Sequence, residues 1–218
     1  MLRRVYHFVN CKYGLENISR RRLKVADIND LNDPFEFLGL VSDNPETVQD
    51  FTRMKAQVAK NIGLLCFSDD WKNPVQWAHY ADGHRGLCLG FDVPEELLAQ
   101  VTYVSDRLDD VPEKGADIQE KEQFVLKVVT TKFSHWSYET EYRLFVRLDT
   151  KDEETGHYFF NFSQDLALRE VIAGLACGVV QADLREALGS LIADVEVFKA
   201  SASRTFEVAR HQWDWGQF

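Results

Sequence analysis

The 218-residue chain carries a net charge of −10, and 45% of its residues are hydrophobic while 28% are charged. This balance is typical of a globular domain and excludes a disordered chain, and the negative charge excludes the broad basic face of a constitutive nucleic-acid binder. No apolar run is long enough to cross a bilayer, and the amino-terminal residues lack the apolar core of a signal peptide. We therefore expect a cytoplasmic protein with no membrane contact.

A local basic patch stays open as an alternative, because residues 19–24 contain three consecutive arginines and a lysine. Its simpler interpretation is a solvated helix end. The four cysteines are widely spaced and contain no C-x-x-C pair, which predicts reduced thiols and neither a disulfide framework nor a zinc site. They are Cys11, Cys66, Cys88 and Cys177.

Hydrophobic periodicity and turn residues predict the elements of the first half of the chain. In order, these are a strand (4–9), a short helix (13–25), a turn (28–37), a helix (44–61) and two buried strands (63–68 and 86–92). Asn44 is the predicted N-cap of the second helix, because Pro45 suits the first helical position. A connection rich in aromatic residues separates the two buried strands.

The second half of the chain contains more predicted strands than helices. In order, these are a short helix (94–101), a strand (101–106), a helix (117–132), a strand (135–148), a strand after a surface turn (157–162), a strand (168–178), an amphipathic helix (181–194) and two late strands (195–201 and 205–210). The tail, 211–218, has no periodicity.

Helices and strands mix without regular β-α-β alternation, which favours an α+β fold over a doubly wound sheet. We expect one domain over residues 1–218, with a mixed, split β-sheet and flanking helices. Four strands should form the centre of that sheet, near residues 4–9, 63–68, 86–91 and 141–147.

The predicted strand 135–148, "HWSYETEYRLFVRL", has two distinct faces because side chains alternate along a strand. Tyr142, Leu144 and Val146 form a core face. The opposite face carries Glu139, Glu141 and Arg143, which would form either the floor of a site or solvated ion pairs.

The connection between the buried strands concentrates Trp77, His79 and Tyr80, which would wall a pocket for a flat ligand or pack as a lid on the core. His79 and His84 lack a third ligand at a zinc-binding spacing, so no metal site is predicted.

Four segments taken in order, "LNDPFEF", "CFS…WAHYADGHRGLCLGF", "WSYETEYRL" and "VIAGLACG", resemble a widespread bacterial family of unknown function. That family is related to one group of abortive-infection proteins. The opening segment, "VYHFVNCKYGLENISRRRLKV", is similar to the start of the ADP-ribosyltransferase-like fold. This second resemblance implies NAD as substrate.

The resemblance to the ADP-ribosyltransferase-like fold implies roles for residues on three strands. His7 would contact the NAD ribose from the first strand. Ser68 or Tyr80 would be the serine or tyrosine that this fold carries on its central strand, which we call the central position. Glu141 would be the catalytic acid, and Glu139, the first acid of the E-x-E, would engage the acceptor. Members of this fold carry a Ser-Thr-Ser (S-T-S) motif on the central strand. This chain lacks that motif, since Ser68 is followed by two aspartates.

Three further side chains complete the predicted NAD site. Trp77 and His79 would contribute the aromatic wall against which nicotinamide stacks, and Arg143 would complete the floor beside the two glutamates.

The sequence therefore predicts an ADP-ribosyltransferase-like enzyme that uses NAD, in the setting of a bacterial toxin or anti-phage effector. Its acceptor would be nucleic acid or protein, and an antitoxin or defence partner would accompany it. The missing S-T-S favours the main alternative, a non-catalytic sensor or interaction module on the same fold. A metal-dependent nuclease using His79 and His84 is a further alternative.

Overall fold

The computed structural model of the chain describes residues 1–28, 31, 45–108 and 117–211. The predicted N-cap Asn44, most of the predicted turn at 28–37 and the tail after His211 lie outside these residues. No helix in the described ranges is long and apolar enough to cross a membrane.

The described chain contains strands and helices in irregular alternation. The strands are β1 (Leu2–Val9), β2 (Arg22–Lys24), β3 (Ala26–Asp27), β4 (Ile62–Ser68), β5 (Leu87–Pro94), β6 (Leu98–Gln100), β7 (Thr102–Val104), β8 (Thr131–Phe133), β9 (Glu141–Arg147), β10 (Phe159–Asn161), β11 (Ala167–Ala173), β12 (Glu196–Ala202) and β13 (Val208–His211). The α-helices are α1 (Cys11–Arg20), α2 (Pro45–Asn61), α3 (Pro74–Tyr80), α4 (Ile118–Val129) and α5 (Gln181–Leu188). Short 3-10 helices span Glu95–Leu97, Ser134–Glu139 and Gly189–Ala193.

The main sheet runs in the order β13-β12-β11-β5-β1-β4-β9-β6, with β3 paired to β4 beside this path. β11 and β12 are parallel, and the other pairs of this sheet are antiparallel. The sheet is therefore mixed, and the α+β prediction is confirmed. The four predicted central strands, β5, β1, β4 and β9, are neighbours at its centre, as expected.

The contact between β1 and β4 is the narrowest joint of the sheet. β1 pairs with β5 along its whole length, from Leu2 to Val9, and β4 pairs with β9 from Ile62 to Ser68. Between β1 and β4, in contrast, the register contains the single pair Tyr6↔Ser68. The two halves of the sheet are consequently joined by one residue pair at the end of β4, and no further pair joins β1 to the rest of that strand.

Both faces of β9 are buried from Glu141 to Leu144. Tyr142, Leu144 and Val146 lie in the main hydrophobic core, which confirms the predicted core face. The opposite face is buried too, because Glu141 and Arg143 are only 4% and 1% exposed. The alternative of solvated ion pairs on this face is therefore wrong.

The predicted strand at 135–148 begins six residues later than expected. Residues Ser134–Glu139 form a 3-10 helix, and Thr140 adopts the left-handed conformation with φ of 43° before β9 begins. The carbonyl of Tyr138 accepts a hydrogen bond from the Gln76 side chain, so this segment bonds to α3 instead of a sheet neighbour. Period-two alternation predicts a strand here, and these tertiary contacts override that local preference.

Two predicted helices also differ from the structure, one in its length and one in its type. The first stops at Arg20, because Arg21 is left-handed with φ of 54° and residues Arg22–Lys24 pair with β10. The segment predicted as a helix at 94–101 is a 3-10 turn followed by β6, whose residues pair with β9.

The arginine run is engaged within the chain. Arg20 contacts Glu154, and Arg22 contacts Asp152, at 2.7 Å in each case, while Arg21 donates to carbonyls near the end of α5. The acidic loop before β10 thus compensates the run, which does not present an uncompensated basic patch.

Candidate active site

A cleft opens where β1 and β4 part, beside the Tyr6–Ser68 joint. It contains about 540 Å³ of empty space, part of it open to solvent. Five of the eight predicted site residues line it, together with one lysine that the sequence did not single out. These six residues are His7, Ser68, Tyr80, Lys132, Glu139 and Glu141. The side chains come from β1, β4, α3, β8, β9 and the 3-10 helix before β9.

Lys132, Glu139 and Glu141 form the floor of this cleft, and Arg143 supports it from behind Glu141. We call these four buried, charged residues the charge cluster. Their side chains are between 1% and 7% exposed. Lys132 Nζ donates to Glu139 Oε2 at 2.6 Å and to Glu141 Oε2 at 3.2 Å. Arg143 holds Glu141 through Nε at 2.7 Å and a second guanidinium nitrogen at 3.0 Å. Two carboxylates and two cations therefore compensate one another away from water.

The local backbone explains how both glutamates reach the same lysine. Glu139 ends the 3-10 helix and Glu141 begins β9, with the left-handed Thr140 turning the chain between them. Thr140 Oγ1 lies 3.1 Å from Ser68 Oγ, and Ser68 pairs with Glu141 in the sheet. The turn is thus fixed to the end of β4.

Gln76 connects α3 to this turn. Its buried amide donates to Ser68 Oγ at 2.9 Å and to the carbonyl of Tyr138 at 3.3 Å. The helix that carries it starts at Pro74, where the Asn73 side chain accepts from the amide of Val75.

The Ser68 hydroxyl has no bonding capacity left for a ligand. It accepts from Asp70 N at 3.0 Å and from Gln76, and its own proton is directed to the Asp70 carbonyl or to Thr140. A hydroxyl offers one donor and two acceptor sites, and all three are used. Of the two candidates for the central position, Tyr80 is therefore the better placed, since its hydroxyl donates to Glu139 within the cleft.

His7 presents one ring nitrogen to the protein and leaves the other as an acceptor. Its Nδ1 lies 3.1 Å from the carbonyl oxygen of Cys66, which can only accept, so Nδ1 carries the proton in the neutral ring. Burial lowers the pKa of His7, which favours that neutral form. The ring packs edge-on against Phe67.

The two glutamates have pKa values displaced in opposite directions. Burial raises the pKa of Glu139, and the nearby Lys132 ammonium offsets only part of this effect. Burial would also raise the pKa of Glu141, but Arg143 and Lys132 outweigh it and hold that pKa below its usual value. Opposite pKa shifts in two neighbouring carboxylates are typical of active sites in which one carboxylate transfers a proton and the other stabilises charge.

Three predicted site residues do not line the cleft. Trp77 is fully buried in a second hydrophobic cluster, where its indole nitrogen donates to the Trp71 carbonyl at 2.6 Å. His79 is exposed, with Nδ1 3.0 Å from the Tyr138 hydroxyl. Arg143 lies behind Glu141 and donates to the carbonyl of Val129 at 2.7 Å. The aromatic wall predicted from Trp77 is therefore replaced by core packing, and Arg143 supports the floor from beneath.

Three residues of the site, Lys132, Gln76 and Tyr103, are not predicted from the sequence. Tyr103 accepts a hydrogen bond from the amide of Glu141 at 2.8 Å, and burial raises its pKa to about 12. Lys132 falls at the end of a predicted helix, where a lysine is expected to be solvated, so no local signal marked it as buried.

The described ranges contain neither a cluster of metal-binding side chains nor a disulfide bond. These residues include no group of three histidines, cysteines or acids arranged to hold a metal ion. None of the four cysteines, all of which are described, forms a disulfide. His84, the other histidine of the nuclease alternative, stacks on Trp77.

Comparison of the chain with protein-family models, with curated proteins and with solved structures found no match.

Arg143 and Arg147 offer a matched test of the charge cluster, because both lie on β9 and only Arg143 is buried. Replacing Arg143 by Met should lower the free energy of unfolding by about 3–5 kcal/mol, since it leaves Glu141 buried with less compensation. Arg147 is 82% exposed, and Arg147→Met should change the free energy by no more than about 0.5 kcal/mol. Urea unfolding of both variants measures the difference. Equal values would show that the cluster contributes no more than surface ion pairs.

Proposed function

We propose that the chain is an ADP-ribosyltransferase-like enzyme that cleaves the nicotinamide–ribose bond of NAD in this cleft. The observation that carries the proposal is convergence: His7, Tyr80 and Glu141 lie far apart in the sequence yet line one cleft. These are the positions to which the family resemblance assigns the ribose contact, the central residue and the catalytic acid. The narrow joint between β1 and β4 also fits the split sheet of that fold.

Glu141 would stabilise the transition state. As the bond between the ribose carbon and nicotinamide breaks, its electron pair leaves with nicotinamide and positive charge develops on the ribose. A fixed, ionised carboxylate in a poorly solvated site stabilises such a charge. The lowered pKa of Glu141 keeps it ionised, and Arg143 holds it in place through two hydrogen bonds.

Glu139 would act on the acceptor. Its carboxylate lies beside Glu141, on the other side of Lys132 Nζ, and the Tyr80 hydroxyl donates to it. Its raised pKa suits a group that takes up the proton of an attacking nucleophile. His7 would accept a hydrogen bond from a ribose hydroxyl through Nε2, the nitrogen that does not face Cys66.

One observation favours the non-catalytic alternative. Both oxygens of Glu141 already accept hydrogen bonds from cations, Oε1 from Arg143 and Oε2 from Arg143 and Lys132. A sensor or interaction module on the same fold would bind NAD in the cleft without turning it over. The toxin or anti-phage setting, with an antitoxin or defence partner, stays a prediction from the family resemblance.

Replacing Glu141 by Gln tests the catalytic assignment. The change keeps the shape of the side chain and removes its charge, so NAD cleavage should fall by about 100-fold or more while NAD binding changes little. Glu139→Gln should be milder and should uncouple transfer from hydrolysis. The measurement is NAD consumption and nicotinamide release, with cell extract as the source of acceptor.

A charge-balanced variant controls for stability, because Glu141→Gln alone leaves the buried cluster with an excess positive charge. Glu141→Gln combined with Lys132→Met restores neutrality. The single variant Lys132→Met, measured in parallel, shows how much of the change in NAD cleavage comes from removing the lysine alone. Absence of NAD turnover in the wild type would refute the enzyme proposal, and NAD binding without turnover would favour the non-catalytic alternative. Wild-type turnover in Glu141→Gln would refute the assignment of the site.

The pH profile gives a separate prediction. A base must be ionised to accept a proton, so kcat/KM for NAD cleavage should fall as the pH decreases through the raised pKa of Glu139. This acidic limb should lie above 4.5, the ordinary value for glutamate, while Glu141 stays ionised over the same range. Glu139→Gln should remove the limb. A limb that persists unchanged in that variant would assign it to another group.

A further inference from the structure

Lys132 occupies the place between the two carboxylates of the E-x-E. Its ammonium contacts one oxygen of Glu139 at 2.6 Å and one oxygen of Glu141 at 3.2 Å, and its side chain is 4% exposed. The indole of Trp136 packs against it, with Nζ 5.0 Å from the ring centre. The lysine is therefore held as a fixed part of the cleft floor.

A cationic acceptor would need the position that Lys132 already fills. A guanidinium or ammonium group delivered to the ribose would rely on Glu139 for a compensating negative charge. Glu139 is already shared between the Lys132 ammonium and the Tyr80 hydroxyl. A second cation would lie a few ångströms from Nζ in a poorly solvated site, where like charges repel strongly.

A row of aromatic side chains extends from Glu139 to the exposed His79 and beyond, and of these only Tyr80 lines the cleft. Tyr80 contacts Glu139, His79 packs edge-on against Tyr80, and Tyr138 lies within hydrogen-bond distance of His79. Trp136 continues this row beside Tyr138. None of these four side chains carries a carboxylate that could compensate a second cation beside Lys132.

We propose that Lys132 determines acceptor specificity, excluding guanidinium and ammonium groups so that an uncharged nucleophile attacks the ribose. The proposal rests on the proposed function for the transfer step. In that step the bond from the nucleophile to the ribose carbon forms as the bond to nicotinamide breaks. The nicotinamide leaves with the electron pair, and the proton of the nucleophile passes to the Glu139 carboxylate.

The test uses agmatine, which presents a guanidinium group, with the full chain and NAD. With the wild type, agmatine should neither bind in the cleft nor accept ADP-ribose, and nicotinamide release should be the same with and without it. Lys132→Met removes the internal cation and leaves one net negative charge, so agmatine affinity should rise by about tenfold or more and ADP-ribosylagmatine should form. Calorimetry measures binding, and mass spectrometry measures the product.

Lys121→Met is the matched control, because Lys121 lies exposed on α4, outside the cleft lining. It should behave as the wild type. Agmatine binding to the wild type that is lost in Glu139→Gln would overturn the proposal, and so would a folded Lys132→Met variant with no gain in agmatine affinity. If Lys132→Met does not fold, the wild-type binding measurement still decides. Absence of NAD cleavage with these binding results intact would refute the proposed function and leave the exclusion of cations standing.

Discussion

The compensation of four buried charges is the interaction on which the cleft depends. Lys132, Glu139, Glu141 and Arg143 neutralise one another out of contact with water, and the loss of any one of them would leave an uncompensated charge in the interior. The cluster also ties together β8, β9 and the 3-10 helix before β9, and Arg143 extends it to the last carbonyl of α4. Such a floor is held in one arrangement, which is what electrostatic stabilisation of a transition state requires.

The cleft itself follows from the topology of the sheet. β1 and β4 meet through the single pair Tyr6↔Ser68, so the two halves of the sheet can part beside it and leave side chains from both exposed to one space. Gln76 then fixes α3 against the end of β4, which brings Tyr80 to Glu139. The chemistry proposed for the cleft thus depends on the single strand pair Tyr6↔Ser68 and on the buried side-chain amide of Gln76.

The sequence predicted those parts of the structure that depend on local pattern. Strand periodicity identified the central strands, and the E-x-E with its arginine identified most of the cleft floor. Tertiary contacts decided the rest. Lys132 is buried because two glutamates surround it, Trp77 enters the core instead of the cleft, and the left-handed Thr140 breaks the strand before Glu141. None of these outcomes has a signal in the residues adjacent to it, because each depends on partners distant in the sequence.

The most direct test of this account is the crystal structure of the chain bound to a non-hydrolysable carbocyclic analogue of NAD. The account predicts that the analogue occupies the cleft between β1 and β4, with the 2′-hydroxyl of its nicotinamide ribose hydrogen-bonded to the Glu141 carboxylate and with Tyr80 and His7 in contact. An analogue bound elsewhere, or a cleft that stays empty at saturating analogue while Glu141 keeps its bonds to Arg143 and Lys132, would contradict it.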